Sequence, residues 1–191
     1  MPTGSDTTTV LVVDDEEDVA DVYALRLDGV YDTRVAYSGT DALDTIDETI
    51  DVVLLDRRMP DISGDEILRE IRKQGYNCRV IMLTAVDPGL DIVDMPFDDY
   101  LCKPVEKDVL VDAIEQQCRL QRYDEQLSAY LETVSKLTLL ESELPSHEFQ
   151  ANDDVQQLHN RTDRLRADLE ETLAEFDDIE RAFTKIGRYP S

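Results

Sequence analysis

Over the first 118 residues, short runs of β-branched and aliphatic residues alternate with longer stretches in which apolar residues return every three or four places. The runs Val10–Val13, Thr33–Ala36, Val52–Leu55, Arg79–Leu83 and Asp99–Leu101 have the length and composition of strands. Between them, helical spacing covers about residues 16–28, 39–49, 64–74 and, more faintly, 88–95, and a further helix starts near Val105. Apolar strands separated by enough chain for a crossover helix pair in parallel, with helices covering both faces. The predicted fold is therefore α/β, an open, doubly wound, five-stranded parallel sheet whose ligands sit at the carboxyl ends of the strands.

Those ends carry an unusual set of side chains. The first strand runs into Asp14 and Asp15, the third into Asp56, the fourth into Thr84 and the fifth into Lys103-Pro104. Any one aspartate at a strand end is explained as a turn former or cap. Together, in a sheet of this kind, they converge on one crevice as three carboxylates, a hydroxyl and an ammonium. Close carboxylates repel unless a cation offsets them, and hard oxygen ligands suit Mg²⁺, which keeps several waters of its own. Lys103-Pro104 is either a cis peptide that aims the lysine or simply the start of the next helix, while Met59-Pro60 and Gly64 read as loop and helix-start punctuation.

Composition narrows the partners. Acidic residues number 44 against 19 basic, for a net charge of −25. The 41% of hydrophobic residues still suffices for a core, so disorder is excluded for most of the length. At about 1 M salt the Debye length is only about 3 Å, which screens such self-repulsion. The balance, rich in Asp and poor in Lys, therefore suits the interior of a halophile. The competing reading, an acidic partner-binding face on a mesophilic protein, is weakened because the excess runs through both halves: 28 acidic against 10 basic in residues 1–118, and 16 against 9 in 119–191. Neither half offers nucleic acid a basic surface. No apolar run is long enough for a membrane span, and MPTGSDTTT lacks the basic end and apolar stretch of a secretion signal, so a soluble cytoplasmic protein is expected. Cys78, Cys102 and Cys118 show no paired spacing and read as small core residues; His147 and His159, with no cysteine nearby, make no zinc site.

The strings LVVDDEED, VVLLDRRMPDISGDEIL, VIMLTA and DDYLCKPV resemble, as a group, the receiver domain of two-component response regulators over about residues 8–118. That resemblance implies the flavodoxin-like form of the predicted sheet and phosphoryl transfer from a histidine kinase to one aspartate, matched by Asp56. It further implies that Asp14, Asp15 and Asp56 hold Mg²⁺ together with the backbone carbonyl of Arg58. Thr84 and Lys103 match the groups that contact the phosphoryl oxygens, and Tyr100 the aromatic that turns inward when the switch is thrown. The chemistry is coherent: a carboxylate attacks an anionic phosphoryl group only where metal and ammonium offset the like charges.

The sequence departs from the receiver pattern in one place, and a pair of arginines stands out beside the acceptor. Between Thr84 and Lys103 the chain is short and contains Pro88, Gly89 and Pro96, so the fourth helix should shrink to about two turns. Arg57 and Arg58 flank the acceptor, either as solvated loop cations or as groups that tune the lifetime of the phosphoryl bond.

Beyond Val105 no Pro or Gly occurs until Pro145, which predicts one helix of about forty residues leaving the first domain. Leu120, Tyr123, Leu127, Tyr130, Val134, Leu137 and Leu144 follow a coiled-coil spacing, interrupted by the charge of Glu141. After LPSHEFQAND a second series runs through Val155, Leu158, Thr162, Leu165, Leu169, Thr172, Phe176, Ile179, Phe183 and Ile186, with Asn152 or Asp153 as cap and Gly187 as stop. Two such seams predict an antiparallel helical hairpin or coiled coil over 119–188, with dimerisation through the same faces as the competitor. The ending DLEETLAEFDDIERAF resembles the HalX domain found after receivers in halophilic archaea, over about 120–187.

The expected protein is thus a response regulator: a receiver phosphorylated on Asp56, and a helical output that binds a protein partner or makes a homodimer. A DNA-binding regulator acting through the HalX-like part is the alternative, without support from charge. An enzyme of the haloacid dehalogenase kind is disfavoured, because Arg58 stands two residues after Asp56 where a second aspartate is required. No turnover is expected beyond the protein's own phosphorylation and dephosphorylation.

Overall fold

The structure is a computed structural model that describes residues 7–85 and 89–183. The chain divides into two compact units, Met1–Cys118 and Arg119–Ser191.

The first unit is a five-stranded parallel sheet in the order β2-β1-β3-β4-β5. Its strands are β1 (Thr9–Val13), β2 (Asp32–Ala36), β3 (Val52–Asp56), β4 (Arg79–Thr84) and β5 (Asp99–Cys102). All five strand expectations are met, within one residue at each end. Alternate residues feed two cores, as the period of two in a strand requires. Leu11, Val13, Val53, Leu55, Val80 and Met82 face one side, where α2 (Gly39–Thr45) and α3 (Gly64–Gln74) bring Ala42, Ile67, Leu68 and Ile71. Val10, Val12, Leu54, Ile81 and Leu83 face the other, against Ala20, Tyr23 and Leu27 of α1 (Glu17–Leu27) and Leu110, Ala113 and Ile114 of α4 (Lys107–Glu143). Because β1 and β3 are neighbours whose outgoing connections, α1 and α3, lie on opposite faces, a crevice opens at their carboxyl ends.

Two helices are shorter than the spacing predicted. α2 stops at Thr45 rather than running to 49, because the Asp47 carboxylate accepts the Thr49 backbone N–H at 2.8 Å. That local turn competes with further helix. The fourth helical pattern shrinks past the expected two turns to a single 3-10 turn, Leu90–Ile92. There Ile92, Met95 and Phe97 pack on the sheet and Pro96 bars continuation; Pro88 lies outside the described residues.

α4 runs unbroken to Glu143, as the lack of Pro and Gly predicted, and the division between the two units falls within it. In the second unit its later turns lie antiparallel to α6 (Asp153–Phe183): the Thr172 hydroxyl donates to Gln126 at 3.1 Å, and the Arg161 charge acts on Glu132. The seam residues Leu120, Tyr123, Leu127, Tyr130, Val134 and Leu144 are half-buried and Leu137 is buried; on the second series Val155, Leu169 and Thr172 are also buried. Asn152 caps α6 by accepting from Asp154 and Val155 N–H groups at 2.9 and 3.2 Å. One element was not anticipated: LPSHEFQAND contains a short helix, α5 (Ser146–Ala151), in place of a plain break. Phe176, Ile179 and Phe183 lie on α6 but their side chains are outside the described set, and Ile186 and Gly187 are outside the described residues. Among the described residues no helix is long and apolar enough to cross a membrane.

Candidate functional site

Parallel strands deliver their last residues to one edge of the sheet, so residues far apart in sequence meet there. Asp14 follows β1 and is only 1% exposed; Asp56 ends β3 and is 6% exposed. Between them lies the Lys103 ammonium, 2.6 Å from a carboxylate oxygen of Asp14 and in direct ion-pair contact with Asp56. Two buried carboxylates with a lysine between them form a charge-assisted network in a low-dielectric place, which is the setting in which charges act most strongly.

Each member is held by backbone. The Asp14 N–H donates to the Ala36 carbonyl at 3.2 Å, and its carboxylate accepts the Glu16 N–H at 3.1 Å. Asp56 accepts the Arg58 N–H at 2.6 Å on the oxygen that Lys103 does not touch. The Lys103 N–H donates to the Thr84 carbonyl at 2.7 Å, which ties β5 to the end of β4 and aims the lysine inward. Lys103-Pro104 is cis. Burial pushes the Asp56 carboxyl above its ordinary value, against the pull of Lys103. Burial alone would lower the Lys103 ammonium, but its two carboxylate partners outweigh that and raise it, so the lysine is charged across the physiological range.

The remaining expected site residues are also at this edge. Thr84 is 1% exposed at the tip of β4, and Tyr100 is 9% exposed, its ring 5.6 Å from that of Phe97 and packed into the sheet core. Asp15 is half-buried beside Asp14. The trio of carboxylates does not close into a metal-sized cluster: among the described residues no three His, Cys, Asp or Glu side chains form one. Asp14 and Asp56 share Lys103 instead, because two buried carboxylates repel unless a positive group lies between them. The donor set nonetheless fits Mg²⁺, which binds through one or two carboxylates plus waters and phosphate oxygens.

Sequence reasoning missed the packing that holds this edge together. Gly64, read as punctuation, sits so close to β3 that a Cβ there would lie 2.2 Å from the Asp56 carbonyl oxygen. Asp61 accepts the N–H groups of Gly39 and Thr40, both at 3.3 Å, joining the loop after β3 to the start of α2. The Tyr23 hydroxyl accepts the Val105 N–H at 3.4 Å, and Arg26 donates to the Val105 carbonyl, so α1 holds the segment just after Lys103-Pro104. The run MPDISGD hinted at Gly64; nothing local marked Tyr23 or Arg26.

Residues 10–115 match the family of the response regulator receiver domain, and residues 119–185 match the HalX domain. A Haloferax volcanii protein named "Putative transcriptional regulator" is 41% identical over 165 residues, which cover 86% of this chain and 28% of that protein. The chain thus spans less than a third of that relative's length. Among solved structures, the receiver domain of a Francisella response regulator is 32% identical with a TM-score of 0.52, covering 58% of this chain and 95% of its own. A CheY-like receiver domain from Methanospirillum hungatei is 25% identical with a TM-score of 0.57, covering 62% and 98%.

Proposed function

Because the chain belongs to the response regulator receiver family, we propose that it is the phosphoacceptor of a two-component phosphorelay, taking a phosphoryl group from a sensor histidine kinase on Asp56. The observation that carries this reading is the Lys103 ammonium set between the buried carboxylates of Asp14 and Asp56 at the carboxyl ends of the strands.

Asp56 supplies the nucleophilic oxygen, and its carboxylate is oriented for attack by the Arg58 N–H. Asp14, Asp15 and Asp56, with the backbone carbonyl of Arg58, would hold Mg²⁺, which would supply positive charge to offset the repulsion of carboxylate and phosphoryl group. Lys103 transfers its contact from the Asp56 carboxylate to a phosphoryl oxygen, and the Thr84 hydroxyl takes another. Those contacts exist only in the phosphorylated state, and only differential contacts move an equilibrium. Moving a two-state switch from 1:99 to 99:1 takes about 5.5 kcal/mol, within the reach of a few charge-assisted hydrogen bonds. Tyr100, three residues before Lys103 and 9% exposed in this structure, is the aromatic assigned to the inward position of the switch.

The output is the antiparallel helical unit, acting by binding a protein partner or a second copy in a cytoplasm of high salt. The chain turns over no substrate beyond its own phosphorylation and dephosphorylation. A second reading, DNA binding through the HalX domain, is favoured by the name of the Haloferax relative alone. It requires a salt-dependent shift of promoter DNA by the phosphorylated form.

The test is sedimentation and intact mass of the wild type and Asp56→Asn in multimolar KCl with Mg²⁺, before and after a small phosphodonor or beryllofluoride. A phosphoryl-sized mass gain in the wild type that the variant lacks is expected, with a change in sedimentation if the output is self-association. An equal mass gain in both proteins, or none in either, overturns Asp56 as acceptor.

A further inference from the structure

The loop that follows the acceptor is clamped by a pair of side chains, Arg57 and Asp65. The Arg57 guanidinium donates from Nε and from one terminal nitrogen to the two carboxylate oxygens of Asp65, at 3.1 and 3.3 Å, and the two side chains are 16% and 27% exposed. Such two-point pairing fixes orientation as well as distance, which a point charge does not. The same two stretches of backbone are joined again where the Gly64 N–H donates to the Arg57 carbonyl at 3.1 Å. On the other flank, Asp61 is bound to the start of α2. Between these ties lies Arg58, whose N–H sets one oxygen of Asp56.

We propose that Arg57 and Asp65 are a positioning pair for the Asp56 site, holding the loop so that the backbone of Arg58 stays in register with the acceptor carboxylate. The inference rests on the phosphoacceptor reading above and deepens it. Neither side chain touches the reacting atoms. Arg57 is paired with Asp65, so the two arginines beside the acceptor have different parts: Arg57 holds the loop, and Arg58, with its side chain exposed, offers its backbone.

Charge and positioning make opposite forecasts for Arg57, which makes the pair testable. Removing a cation near a Mg²⁺ site should tighten metal binding if only long-range charge matters, and molar salt screens that effect to near nothing. Removing a positioning group should loosen it. The experiment is a Mg²⁺ titration of the full chain in multimolar KCl by calorimetry, for the wild type, Arg57→Gln, Asp65→Asn and the double variant, with the melting temperature of each recorded. Each single change is expected to raise the Mg²⁺ Kd at least threefold, and the double variant to be no weaker than the worse single, since the two side chains act as one unit. Hydrogen exchange at the Arg58 amide should quicken in the same variants while the β1 and β3 amides stay protected. An unchanged or lower Kd in Arg57→Gln, or losses that multiply in the double variant, overturns the pair as a positioning device, even where the melting temperature falls. A wild type that binds no Mg²⁺ would instead overturn the phosphoacceptor reading itself.

Discussion

Lys103 lies 2.6 Å from Asp14 although 89 residues separate them, and the same ammonium reaches Asp56. This one lysine makes it tolerable to bury two carboxylates at the end of a sheet. Removing one member of a buried charge network typically costs about 3–5 kcal/mol, because the other charge is left uncompensated. Lys103→Met should lose that much in urea denaturation at fixed KCl without Mg²⁺, and adding Asp56→Asn to it should recover a large part. A loss under about 1 kcal/mol would mean that solvent already screens the pair.

Gly64 is a steric requirement of the site. A methyl group there would meet the Asp56 carbonyl oxygen at 2.2 Å and the Arg57 Cα at 2.9 Å, and both are backbone. Overpacking of this kind costs about 1–3 kcal/mol or more. Gly64→Ala should lower the melting point and slow phosphorylation at Asp56 together, whereas Gly75→Asn, at a helix end with φ of 79° and open space around it, should lower the melting point less, through backbone strain alone, and leave phosphorylation unchanged.

The start of α3 carries its own acid sensitivity. Ser63 and Glu66 form a reciprocal cap, in which the Glu66 carboxylate accepts the Ser63 hydroxyl at 2.8 Å and its N–H at 3.1 Å. Those bonds hold the Glu66 carboxyl below its ordinary value of 4.5. A carboxyl whose folded value is depressed stabilises the fold above its unfolded value and loses that contribution as pH falls through the folded one. The difference in melting temperature between the wild type and Glu66→Ala should therefore be full at pH 7, and shrink as the pH drops below about 4.5 toward the folded value. A difference that stays constant down to pH 3 would exclude the charged cap. Ser63→Ala should cost about 1 kcal/mol at pH 7.

The cysteines should separate by reactivity. Burial pushes the Cys78 thiol up to about 11, so at pH 8 it holds very little thiolate, while Cys102 and Cys118 are half-buried. Each unit of pKa removes about tenfold of the reactive thiolate. Alkylation of the native protein followed by peptide mass mapping should label Cys102 or Cys118 long before Cys78. Early labelling of Cys78 would show that the β4 end of the sheet opens readily.

Local periodicity carried most of the architecture. A strand's period of two and a helix's of 3.6 are properties of neighbouring residues, so all five strands, α1, α3 and the long run of α4 could be placed from the order of side chains alone. Where a local alternative competed, the reading slipped: the Asp47–Thr49 turn cut α2 short, and Pro96 with the inward pull of Ile92 and Met95 reduced the fourth helical pattern to one 3-10 turn.

The chemistry of the crevice divides along the same line. Asp14, Asp56, Thr84 and Lys103 were identifiable because each stands where an apolar run ends, and parallel strands bring such ends to one edge. Which of them touch was decided by tertiary structure: Lys103 binds Asp14 and Asp56, whereas Asp15 stays at the flank. The supports belong to the same class, Arg57 on Asp65, Gly64 on the Asp56 carbonyl, and Tyr23 and Arg26 on Val105. Residue order states what each segment prefers, and those preferences are short-ranged. Contacts between segments dozens of residues apart depend on how the sheet and its helices pack as solid bodies, and that is settled only when the chain has closed on itself.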